Sequence, residues 1–431
     1  MFLILGLFHA GSARGEDARF GDTTWVAPNA GAFDGVPASA GPRVAEPDVE
    51  RGWEKALRAP FRLVFYPVRL AARGSQAAIT FGSQFINYEP RLIPWLGVKA
   101  APVFGISGTA GPSAGVAIQG RSGIGARATL VGTWSVKDTR RLRLRASITE
   151  PQARAVVELY AAYDYRPNRR FYGIGNETVE DGKSIYLRRE NVAEAALVLG
   201  KNPHRRIRGI VSFSDIDVGA GYRDEQRAQD VYDPEDVPFL TEESTVASVG
   251  AGADFALLDN VDEPSLGIHV RGEARRFGSV DESNVHYVSW YGEGRAYLPV
   301  LASRRVIAVR YVYEGVDPRS GSDPVPFYRL PTTSNEVRFA AFRSNRFMDQ
   351  HLMLGHAEYR WIVLPQYDIW ATVFGQLGAV APSRGAFQAD EAHRSIGGGL
   401  RAKLSPTTTA RLEIAGGDEG TRIYLDLRGD F

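Results

Sequence analysis

Gly111, Ser113 and Gly115 spell G-x-S-x-G, a spacing that can raise a serine nucleophile on a sharp strand-to-helix turn. That chemistry also needs a following helix and acid and histidine partners in order. Here the motif falls between two expected strands, so a structural role is expected for it. Gly173 and Gly175 in FYGIGNET echo a phosphate-cradling loop, but no third glycine, helix or βαβ unit follows, and a turn is expected instead. His351 and His356 would face opposite sides of one strand, and the other histidines are scattered. No metal site is expected from them. The carboxylates between residues 233 and 243 crowd a charged, solvated loop. The chain has no cysteine, which removes disulfides, thiolate ligands and cysteine nucleophiles together. No catalytic residue, no cofactor and no metal ligand is expected, and the chain reads as a non-enzyme.

What the sequence does build is alternation. In the terminal stretch Ile423, Leu425, Leu427 and Phe431 oppose Arg422, Tyr424, Asp426, Arg428 and Asp430, the period of a strand with one oily and one wet face. Leu142, Leu144, Ala146 and Ile148 likewise oppose Arg141, Arg143, Arg145 and Ser147. Ile268, Val270 and Ala274 oppose His269, Arg271, Glu273 and Arg275, and Ala410, Leu412 and Ile414 oppose Arg411 and Glu413. Such segments recur from about Gly97 to the end, roughly sixteen of them. A soluble β-sandwich with a solvated outer face would alternate in the same way, so the connections must separate the two architectures.

They alternate in length. The turns at 120–123, 149–151, 200–204, 302–304, 364–366 and 405–406 are tight, whereas 169–183, 221–244, 317–350 and 382–392 are long and polar. Long loops on one parity and short turns on the other are the asymmetry of an outer-membrane barrel. Trp134, Tyr163, Tyr165, Trp290, Tyr311, Tyr313, Tyr359 and Trp361 lie near strand ends, where interfacial aromatic girdles would sit. The expected fold is therefore all-β, a transmembrane antiparallel barrel of about 16 strands behind a short N-terminal periplasmic segment.

Composition agrees. Of 431 residues 44% are hydrophobic, and 46 are glycine, which suits many strands and turns. The formal net charge is only +1, too small for a polyelectrolyte binder, so nucleic acid is not expected as a partner. Residues 1–14 open on an apolar run followed by Gly11 and Ala13, as in a signal peptide. Residues 15–50 read as a flexible periplasmic N-terminus and 90–431 as the barrel. In 51–75, Trp53, Leu57, Phe61 and Phe65 interleave with Lys55, Arg58, Arg62 and Arg69, broken by Pro60 and Pro67. This amphipathic segment either lies on a membrane face or packs on the domain as a short helix.

RRFYGIGNET at 169–178, AAFRSNRFMDQHLMLGHAEYRW at 340–361, ALRAPFRLVFYPVRL at 56–70 and the terminal strand ending in Phe431 together resemble the BamA/TamA-type bacterial surface antigen superfamily of outer-membrane barrels. The resemblance covers 56 to the end. It implies a sixteen-stranded barrel in the outer membrane of a Gram-negative bacterium, with a sixth loop, 317–350, folded back into the lumen. It also implies that Phe431 is the C-terminal signal for barrel assembly. It implies kinship with proteins that insert or translocate others across the outer membrane, receiving clients through periplasmic POTRA domains; no such domain is expected in this sequence. The family's loop tip carries Arg-Gly-Phe or Arg-Gly-Tyr; here Ala340, Ala341 and Phe342 stand in its place. The family's Phe-x-Asp-x-Gly strand is represented by Phe374, Gln376 and Gly378. Both charges of that lock are gone together, as expected where removing one alone would strand a buried charge at a cost of about 3–5 kcal/mol. Arg338 or Arg343 is expected to reach Glu358 as a substitute, with Glu358 and Arg360 on the luminal face; membership of a general luminal charge network is the competing reading.

Two functions follow as expectations. One is insertion or translocation of protein or lipid at the outer membrane. The other is a non-catalytic anchor or assembly platform for a partner protein. Expected partners are outer-membrane lipid and a separate periplasmic or membrane protein.

Overall fold

A computed structural model describes residues 98–107, 111–122, 126–149, 155–202, 205–222, 225–261, 263–300, 302–320, 325–334, 337–365, 368–405 and 408–428. The readings made for residues 1–75 and for Phe431 lie outside these described residues.

Among the described residues, 16 strands form one antiparallel sheet in sequence order. Its first half runs β1 (Lys99–Ser107), β2 (Gly111–Arg121), β3 (Ala126–Ser135), β4 (Arg140–Thr149), β5 (Ala155–Phe171), β6 (Ser184–Asn202), β7 (Arg205–Ala220) and β8 (Ser244–Leu258). The second half runs β9 (Gly267–Ser279), β10 (His286–Val300), β11 (Ala302–Pro318), β12 (His351–Leu364), β13 (Ile369–Ala381), β14 (His393–Ser405), β15 (Thr408–Gly417) and β16 (Gly420–Arg428). Each strand pairs with its sequence neighbours, and no pairing joins β1 to β16 among the described residues.

The expected faces are observed. Val116, Leu144, Leu159, Val249, Val309 and Ile414 are exposed although apolar, while Glu158, Asp164, Arg188, Glu194, Glu358 and Arg401 are buried although charged. A soluble sandwich has the opposite order, so the outer face meets lipid and the inner face lines a lumen. Register carries that alternation across the wall: Arg141 sits opposite Asp164, Asp164 opposite Glu190, and Arg271 opposite Glu293. No helix among the described residues is long and apolar enough to cross a membrane; the strands do so.

Loop parity holds as well. The connections at 172–183, 221–243, 319–350 and 382–392 all follow odd-numbered strands, and those at 203–204, 301 and 406–407 follow even-numbered ones. The turn expected at 302–304 is already strand, because a register shift at Val300 lets β10 turn straight into β11. The serine of G-x-S-x-G lies inside β2, as its structural reading requires. Gly173 and Gly175 take φ of +94° and +110°, so FYGIGNET is the turn that was expected, in a backbone region that favours glycine.

Candidate functional site

The sixth loop, between β11 and β12, folds into the lumen and organises what lies around it. Its first half buries Phe327, Tyr328 and Leu330 in a cluster with Phe171 and Tyr186 of β5 and β6, Phe239 and Leu240 of the 221–243 loop, and Tyr287 of β10. Arg329 crosses this apolar cap, its Nε 3.2 Å from the Ser244 hydroxyl, to which Tyr328 also donates at 3.0 Å. The first half of the loop is thereby anchored to β5, β6, β8 and β10.

The second half returns beside the first. Asn345 donates its amide to the Thr333 carbonyl at 2.5 Å and Thr333 to the Phe347 carbonyl at 3.1 Å. Between them Phe342 closes a turn on the Phe339 carbonyl at 3.0 Å, placing Ala340 and Ala341 at its corner. Phe339, Phe342 and Phe347 cluster beneath it with Leu352, Leu354 and Val380, and His393 stacks on Phe347 at 4.0 Å.

This corner is where the family lock was expected, and Gln376 holds it. The Ala340 amide donates to Gln376 Oε1 at 2.7 Å, and Gln376 Nε2 donates to the Arg338 carbonyl at 2.8 Å. One side-chain amide thus satisfies one buried donor and one buried acceptor of the loop. Two neighbouring glycines give the corner room. A Cβ on Gly417 would lie 2.6 Å from the Ala341 Cβ, and one on Gly378 would lie 2.8 Å from Leu354 and 3.3 Å from Phe339.

The last strand grips the same corner. Arg422 Nε donates to the Ala341 carbonyl at 2.9 Å and the Tyr424 hydroxyl to the Phe342 carbonyl at 3.0 Å. Glu180, in the 172–183 loop, accepts from Arg343 at 2.6 Å and from Arg422 at 2.8 Å. The hydrogen bond from Arg343, with help from Arg422, holds the Glu180 carboxyl below its ordinary value. Arg346 joins Thr178 Oγ1 to Glu419, each at 2.5 Å. Loops after β5 and β15 therefore meet on one guanidinium, which shows how far the sheet curls.

The charge pairing differs from expectation. Arg338 bonds Glu413 of β15, and Arg343 bonds Glu180; neither reaches Glu358. Glu358 instead receives a bidentate grip from Arg401 of β14, Nη1 to Oε1 at 2.9 Å and Nη2 to Oε2. Arg401 also lies 3.5 Å from Glu413. Glycines explain its reach: a Cβ at Gly397 would meet Phe374 at 2.6 Å and one at Gly399 would meet Glu413 Cγ at 2.7 Å. That bare stretch of β14 leaves room for an ion-pair chain from Arg338 through Glu413 and Arg401 to Glu358. Arg360 is buried and donates to the Pro264 carbonyl in the β8–β9 connection.

Sequence reasoning missed Arg401, Arg346 and Glu180. Arg401 had a signal, being the charged member of the luminal face in SIGGGLRAK; the two loop residues had none. No group of metal-ligating side chains occurs among the described residues, and no nucleophile, acid and base converge at the loop corner. What this geometry can do is hold a loop, a last strand and a wall together.

No family model matches the sequence, and no curated protein matches it as a relative. Solved structures do match. BamA from Haemophilus ducreyi lacking POTRA domains 1–3 is 13% identical, covers 77% of this chain and 69% of its own, and superposes with a TM-score of 0.58. CdiB from Acinetobacter baumannii is 10% identical with a TM-score of 0.46, over 77% of this chain and 59% of its own. CdiB from Escherichia coli is 11% identical with a TM-score of 0.47, over 78% and 62%. The likeness to BamA is one of fold. The sixteen-stranded sheet is thus similar in fold to the outer-membrane β-barrel of BamA.

Proposed function

We propose that this barrel aids the insertion or translocation of protein or lipid at the outer membrane of a Gram-negative bacterium, together with a separate periplasmic or membrane protein. The observation that carries the reading is at the two ends of the sheet. No pairing between β1 and β16 occurs among the described residues, and β16 is held from inside by the sixth loop through Arg422 and Tyr424. A sheet edge is a template for another strand.

The apolar cluster around Phe327 favours a second reading, a static anchor or assembly platform for a partner protein. Depletion of the protein in its host separates the two. Falling levels of several outer-membrane proteins, or altered outer-leaflet lipid, supports insertion or translocation. Unchanged levels, with one protein co-purifying in stoichiometric amount from detergent, supports the platform.

A further inference from the structure

Near the long-loop end of β5 the sequence runs Arg166-Pro167-Asn168-Arg169. Proline cannot donate to a ladder, and the register slips at that point. Arg166 pairs with Arg188 of β6 and Arg169 with Tyr186, so β5 takes up one extra residue. Such a bulge re-aims side chains, and here it turns Arg169 to the luminal face already occupied by Arg166. Two arginines now face each other across the strands and a third follows.

The carboxylates recorded nearby are committed elsewhere. Asp164 accepts from Arg166 Nε at 2.9 Å and Nη2 at 2.5 Å, and lies 3.5 Å from Arg141 and 3.8 Å from Arg143. Glu190 lies 3.1 Å from Arg188. Arg169 receives neither. It is only 6% exposed, and its Nε and Nη1 are buried with no hydrogen-bond partner, as is the hydroxyl of Tyr186 on the paired strand. It also sits in the repulsive field of Arg141, Arg166 and Arg188. A buried charge held among like charges without an acceptor is costly, and strand pairing of like charges adds to the cost.

We propose that Arg169 and Tyr186, in the field of Arg141, Arg166 and Arg188, form a luminal binding site for an oxyanion of the phosphate type. The planar guanidinium fork suits two oxygens of such an anion, and the phenol supplies a further donor. The field of like-charged neighbours favours a doubly charged phosphate over a singly charged carboxylate. Free phosphate entering the lumen and the phosphate of a lipid headgroup would offer the same oxygens.

The test uses the full chain in a phosphate-free detergent, with inorganic phosphate and dihexanoyl phosphatidic acid as separate probes in equilibrium dialysis. Saturable binding that falls at least tenfold in Arg169→Gln, and less in Arg169→Lys, supports the site. Arg189→Gln, at an exposed position that pairs with Asp217, should bind like the wild type. Heat-modifiable migration of each variant reports that the barrel has formed. Binding of inorganic phosphate assigns a free anion, and binding of the lipid alone assigns a headgroup. Absence of saturable binding for both probes, or equal binding by Arg169→Gln and Arg169→Lys and the wild type, overturns the proposal.

Discussion

Gln376 accepts the amide hydrogen of Ala340 at 2.7 Å inside the lumen, where the resemblance to the BamA/TamA-type family leads one to expect an aspartate and an arginine. The contact that holds this corner is a neutral one. The side-chain amide returns the contact by donating to the Arg338 carbonyl, so the loop is held by its own backbone. Burying a neutral amide pair avoids the desolvation that an ion pair carries.

Replacing Gln376 by Ala should therefore loosen the loop without unfolding the barrel. It leaves a buried N–H and a buried C=O without partners, at about 1–3 kcal/mol each. Hydrogen exchange at Ala340 and Phe342 should quicken, while exchange in β6 to β10 stays as in the wild type.

The Glu358 and Arg401 pair makes a different demand. Removing one partner, as in Arg401→Met, leaves the buried Glu358 carboxylate to the His356 ring 3.5 Å away and should cost about 3–5 kcal/mol. The double variant Glu358→Leu with Arg401→Met should recover much of that loss. Midpoints of heat-modifiable migration for the two single variants and the double variant measure the coupling.

Acid should loosen the loop at one corner first. The carboxyl of Glu180 is depressed chiefly by its hydrogen bond from Arg343. A depressed folded value means its contribution is complete above the ordinary glutamate value, about 4.3, and is lost as pH falls below that towards the folded value. Both groups are substantially solvent-exposed, so the effect is a local one. Proteolysis of the 172–183 loop should rise as pH falls below the ordinary glutamate value of about 4.3, and Glu180→Gln should show the raised cleavage at neutral pH with little further change on acidification.

Strand faces and loop parity were legible because period two and loop length are local properties. Arg141, Glu273 and Glu413 could be set on the luminal face from their neighbours alone. Partners inside the lumen were not legible. Arg338 meets Glu413 while Arg401 takes Glu358, a division that depends on β12, β14, β15 and the loop meeting in space. Gln376 was recognisable as the loss of a charge; that it is itself the lock depends on where the loop backbone turns. The slip that buries Arg169 was signalled by Pro167 alone, and a proline does not say towards which face the strand will bulge.

The most direct test of the central claim, that the β1 and β16 ends of the sheet take part in transfer at the membrane, is a disulfide across them. The chain has no cysteine, so cysteine pairs scanned along β1 and β16 find the positions that cross-link against a clean background. In a depleted host, the oxidised, cross-linked barrel should fail to restore outer-membrane protein or lipid levels, and reductant should return the activity. Full restoration by the cross-linked barrel would contradict the account.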